Sequence, residues 1–217
     1  MTHRLFDFAQ MTPLERYKLL CGVVVPRPIA LVTSKDEEGK VNAAPFSFFN
    51  VFSEDPPQIV LGLQHRACGQ PKDTTANIAG SGEFVVNMVD EPLAETMNLC
   101  ATDFPPDVSE IEALGIATEP GARVAVPRIA AAPFALECRK VLSLAFSRSR
   151  EILIGEVLAI HWREGLVDTE RLYIDPHRYR PIGRLAGSAY CRQGDVFLLH
   201  RVAYDAQSRW GNDKSKP

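Results

Sequence analysis

The sequence predicts a mainly β fold, an antiparallel barrel with short helices inserted between its strands. Three observations point there. About six or seven short β-branched or apolar segments recur along the chain, separated by Gly, Pro, Asn and Asp clusters. These segments do not alternate with long amphipathic helices, which disfavours a doubly wound parallel sheet. No G-x-G-x-x-G follows a strand and no P-loop is present. A closed antiparallel barrel leaves no long unpaired edges for this many strands. The 217 residues, 46% of them hydrophobic, suffice for one core. No internal repeat or low-complexity linker divides them, so residues 1–217 are expected to form one domain.

The elements follow in order. "MTPLERYKLLCG" opens a helix: Thr12 and Glu15 have capping-box spacing, Pro13 suits the first turn and Gly22 is expected to end it. Leu14, Tyr17 and Leu20 fall on one face. "PIALVTS" (28–34) reads as a strand, "DEEGK" as a turn about Gly39, and "VNAAPFSFFNVFS" as one returning strand, with Pro45 marking an edge or a bulge. After "SEDPP", residues 58–64 form a buried strand. Residues 72–82 form a short helix capped by Asp73 or Thr74 and ended by Gly80 and Gly82. A strand follows at 83–89. Residues 92–104 have helical spacing, with Leu93, Met97 and Cys100 on one side, and 105–115 hold a turn and a short helix. Residues 134–145 and 151–162 read as two long strands, 194–201 as a last one, and 208–217 as a frayed tail.

Composition excludes several functions. A net charge of −3 offers no basic field for nucleic acid. No apolar run of about 18 residues could span a bilayer, and the N-terminal "MTHRLFDFAQ" lacks a signal-peptide apolar stretch, so a cytoplasmic location is expected. Five cysteines, none at C-x-x-C spacing, predict free thiols rather than disulfides or a zinc knuckle. The histidines at 3, 65, 161, 177 and 200 are dispersed, so no metal site is expected, and no G-x-S-x-G suggests a hydrolase.

Four stretches can carry chemistry. In "HRACGQPKDTTANI", Arg66 and Lys72 precede a helix opened by Asp73, Thr74 and Thr75. Free helix-start N–H groups, cations and hydroxyls suit a phosphate, and they equally suit a plain capped helix. In "NAAPFSFFN", strand alternation puts Phe46, Phe48 and Asn50 on one face and Ser47 and Phe49 on the other. This stretch is either core beside a bulge or one wall of a cleft for a flat heterocycle. Arg27, between two prolines, is held extended and either points at a ligand or is a surface charge. The loop "RYRPIGRLAGSAYCR" groups Arg184 with Tyr179 and Tyr190 and is either a site cover or plain surface.

Taken in order, "PRPIALVTS", "NAAPFSFFNVFSEDPPQIVLGL", "KDTTANI", "GEFVVNMV" and "IGEVLAIHW" resemble the flavin reductase-like, FMN-binding split-barrel proteins, and "PIGRLAGSAYCR" looks like their flavoredoxin-type branch. The resemblance covers about residues 20–200. It implies a six-stranded Greek-key split barrel that forms a homodimer, with FMN at the subunit interface. It further implies flavin contacts from Ala44, Pro45, Phe46, Ser47 and Phe48. Gln64, His65, Arg66, Lys72, Asp73 and Thr74 would hold the ribityl-phosphate end, with Arg184 reaching in from the C-terminal loop. The implied activity is FMN-dependent NAD(P)H oxidoreduction of the flavin reductase type. The cofactor carries the redox chemistry, so no catalytic side chain is expected. One departure stands out: Ser149-Arg150-Glu151 replaces the G-D-H that many NADH-using members carry there. A non-catalytic FMN electron carrier reduced by a redox protein partner is therefore the alternative. A flavin-free binding module and a flavin-dependent oxygenase are further readings.

Overall fold

The structure, a computed structural model, describes residues 1–105 and 108–199. Thr12 caps α1 (Pro13–Val23), and the reciprocal capping box with Glu15 is formed. Gly22 lies inside the last turn and the helix runs past it to Val23, with Val24 as C-cap. The strands are β1 (Ala30–Lys35), β2 (Val41–Phe46), β3 (Phe49–Glu54), β4 (Pro57–Gln64) and β5 (Glu83–Met88). After the short pairs β6 (Thr118–Glu119) and β7 (Arg128–Ile129) come the long strands β8 (Phe134–Ala145) and β9 (Arg150–Trp162). Two small pairs end the described chain: β10 (Val167–Asp168) with β11 (Tyr173–Ile174), and β12 (Ile182–Arg184) with β13 (Tyr190–Arg192).

The main sheet is antiparallel, in the order β2-β1-β5-β8-β9-β4-β3. It holds seven strands where six were expected, because residues 41–53 do not form one strand. The chain breaks at Ser47 and Phe48. β2 pairs with β1 at one end of the sheet, while β3 pairs with β4 at the other. The two end strands are thus consecutive in sequence, which rolls the sheet into a split barrel. Pro45 sits in the end strand β2 opposite Leu31, where a missing N–H costs least. The break also cancels the expected alternation from Phe46 through Asn50.

Period-two alternation divides the core. Ala30 and Val32 face a cluster inside the barrel with Ile59, Leu61, Phe84 and Cys138. Leu31 and Ala43 face outward onto Leu93, Met97, Cys100 and Ile111. That second cluster is roofed by α3 (Ala94–Leu99), which follows a single 3₁₀ turn at Glu91–Leu93, and by α4 (Glu110–Ala113). The helix expected over 92–104 is therefore shorter, though Leu93, Met97 and Cys100 do share its buried side. α2 (Asp73–Ser81) inserts Ile78 into the inner cluster and ends at Gly82, whose φ of 72° needs a residue without Cβ. Lys72, not Asp73 or Thr74, holds the N-cap position. Residues 194–199 form no strand; 200 and 201, and the tail 208–217, lie outside the described residues. All five cysteines are free. Among the described residues no helix is long and apolar enough to cross a membrane.

Candidate functional site

A cleft of about 650 Å³ opens where the sheet's two ends meet α2. Residues 44–48 form one side of it, and 64–66 and 72–74 another. The two stretches that looked chemically able on their own thus face the same space. Of the residues expected there, Arg184 stands apart. Its guanidinium lies 4.5 Å from the centre of the Tyr190 ring and donates to the Gly187 carbonyl.

The polar part is built around the start of α2. Lys72 is extended at the N-cap and offers the first turn no side-chain acceptor, so those N–H groups have no side-chain cap. Asp73 is held by Arg66, whose Nη2 lies 2.9 and 3.2 Å from the two carboxylate oxygens. Lys72 Nζ stands 3.8 Å from Asp103, a looser contact that leaves its charge available. Thr74 is buried, and its hydroxyl lies 2.9 Å from the Asn42 amide. That amide turns its oxygen to Thr74 and its nitrogen to Glu110, 3.2 Å away. Glu110 is also buried and accepts from the Ala43 N–H at 3.1 Å. Burial raises its pKa. Its own backbone N–H and that of Ala43 oppose the rise, and the Asp73 charge adds to it.

In the middle, Ser47 Oγ lies 3.4 Å from Arg27 Nε. Arg27 is neither a free surface charge nor a cleft residue. It is 7% exposed and donates to the Cys21, Val24 and Leu185 carbonyls at 2.6, 3.0 and 3.0 Å. Its backbone bridges that of Arg184. One guanidinium thus ties the end of α1, the corner at Ser47 and the segment after β12.

The remaining part is aromatic and cationic. Phe48 rests on Gly62, where an added Cβ would stand 2.8 Å from the Phe48 Cβ. The Gly62 N–H donates to the Phe48 carbonyl at 2.7 Å. Tyr17 of α1 is tilted against Phe48 with centroids 6.4 Å apart. Arg150 lies 5.7 Å from the Phe48 centroid and donates to Gln64 at 3.4 Å. Its neighbour Glu151 points to the opposite face, to His65 Nε2 at 2.8 Å and to the Ser143 hydroxyl.

Sequence reasoning missed Tyr17, Asn42, Gly62 and Glu110 as lining residues. Asn42 and Gly62 sit in strands already marked as site-bearing. Glu110 comes from a helix of four residues with no local signal of its role.

Residues 23–183 match the model of the family described as flavin reductase like domain. A protein of Deinococcus radiodurans is 44% identical over 217 residues, covering 97% of this chain and 95% of its own. The crystal structure of the Pseudomonas fluorescens 2-nitrobenzoate 2-nitroreductase NbaA superposes with a TM-score of 0.86 at 43% identity, covering 93% of this chain and 98% of that one. Nitrilotriacetate monooxygenase component B from Bacillus cereus superposes with a TM-score of 0.88 at 34% identity, covering 92% and 100%.

Proposed function

Because this chain belongs to the flavin reductase like domain family, we propose that it is an FMN-dependent oxidoreductase that passes electrons from NAD(P)H to an acceptor. The observation that carries this reading is the meeting of the Ala44-to-Phe48 segment with the uncapped start of α2 in one cleft. The donor set fits a phosphate monoester: the α2 amides and the Lys72 charge. Gln64, His65, Arg66 and Asp73 frame that end, Arg66 and Asp73 as an ion pair. Backbone groups along Ala44 and Pro45, with the Ser47 hydroxyl, suit the polar edge of a flat ring, Phe46 supplies apolar surface, and the Phe48 backbone ends that wall. When bound, the flavin supplies the redox chemistry; the chain binds it, orients it and limits water. Similarity to a nitroreductase and to a monooxygenase component supports the oxidoreductase class.

A homodimer is part of the proposal. Leu14, Leu20 and Val23 of α1 and Val51 and Phe52 of β3 are exposed apolar side chains that a second copy would cover. Arg184 has a place in this reading only as a second-copy contact or a loop brace.

The test is spectroscopic. Purified protein mixed with FMN should quench its fluorescence and bleach anaerobically with NADH or NADPH. Lys72→Ala should weaken FMN about ten-fold or more, since a charge-assisted contact is lost. Bound FMN that neither nucleotide bleaches would instead favour an electron carrier reduced by a protein. That reading has one observation behind it: Glu151, in Ser149-Arg150-Glu151, is tied to His65 and Ser143.

A further inference from the structure

Arg150 is the cleft cation that has no carboxylate among the described residues; it stands between Gln64 and Phe48. Arg66 is neutralised by Asp73, and Lys72 has Asp103 nearby. Among the described residues no carboxylate pairs with Arg150, because the pleat sends Glu151 to the other face. Among the described residues its side chain meets the Phe48 ring and donates to the neutral Gln64 amide. At 5.7 Å from the ring centre the guanidinium is drawn to the Phe48 ring and keeps N–H groups to offer, and a guanidinium meets a carboxylate in two parallel bonds. The platform is built rather than incidental. Phe48 occupies space that exists only because residue 62 is glycine, and Tyr17 flanks it from a different element.

We propose that Phe48, Tyr17 and Arg150 form a co-substrate subsite for a flat carboxylated acceptor, the carboxylate on Arg150 and the conjugated body against the two rings. This rests on the flavin reading above and names the substrate class of the same cleft. A neutral aromatic would gain the ring contacts but would leave the guanidinium without its anion. A non-planar anion would gain the charge but lose the ring surface.

Calorimetric titration of the FMN-loaded protein with benzoate and with benzamide, on wild type, Arg150→Gln and Arg150→Lys, tests it. FMN affinity of each is measured first by fluorescence quenching. Wild type should bind benzoate at least about ten-fold more tightly than benzamide, a difference of one charge-assisted pair. Arg150→Gln should erase the preference while leaving FMN affinity within about two-fold, and Arg150→Lys should restore part of it. Equal binding of the two probes by wild type would overturn the subsite. So would a loss of FMN affinity in Arg150→Gln matching the loss of benzoate, which would make Arg150 a cofactor ligand. Tighter, Arg150-dependent binding of adenosine 2′,5′-bisphosphate than of benzoate would assign the anion to the nicotinamide nucleotide and overturn the carboxylate assignment. Wild type that fails to quench FMN at all would remove the flavin reading itself, and this one with it.

Discussion

Two buried glutamates respond to pH in opposite directions. Glu137 of β8 is fully buried and accepts from the backbone N–H groups of Ala122, Arg123 and Val124 at 2.7, 2.6 and 2.9 Å, and from His161. Burial alone would raise its pKa, but these four bonds outweigh burial and lower it below 4.5. Folding therefore prefers the ionised form. That stability is present above the ordinary carboxylate pKa and is lost as pH falls through the lowered value. Glu137→Ala leaves three N–H groups orphaned and should cost about 3–5 kcal/mol in urea denaturation at pH 7. Glu110 is the reverse case. Its raised pKa means that folding prefers the protonated form, so its contribution is present below pH 4.5 and drains away as pH rises through the raised value. Glu110→Gln should hence gain in relative stability between pH 4 and pH 8, read from urea midpoints of variant and wild type at each pH. A flat difference would sink that assignment.

At the scale of elements, the packing of β9 on β5 depends on one glycine. A Cβ at Gly155 would stand 2.5 Å from the ring of Phe84, which is fully buried. Gly155→Ala should destabilise the protein by about 1–3 kcal/mol through overpacking, seen as a lowered Tm. Most elements were legible because their signals are local. The Thr12–Glu15 box, the period-two runs of β8 and β9 and the terminal Gly82 each act within a few residues. The break at Ser47 and Phe48 was not legible. Pro45 signalled an edge or a bulge within residues 41–53, but the break two residues later follows from the demand of two different partners, β1 and β4. The same holds for the site. Strand and helix-start residues announced themselves, whereas Glu110 and Tyr17 reach the cleft only through tertiary placement. Arg27 was undecided from sequence because its acceptors are carbonyls, which have no residue signature.

At the scale of the molecule, the exposed apolar side chains of α1 and β3 make a prediction about assembly. Sedimentation equilibrium should give twice the mass of one chain. Leu20→Asp combined with Val51→Asp should shift the protein toward the single-chain mass. A monomeric wild type would refute it.

The barrel closes through two consecutive strands at its opposite ends, β2 and β3, joined by a corner of two residues. That corner works like the clasp of a bracelet. A molecule seated against it grips both ends of the band at once, so its binding energy opposes springing of the whole hoop as well as motion of one loop. Amide hydrogen exchange in β2 and β3 should therefore slow together on FMN addition, ahead of β5 and β8 on the far side of the ring.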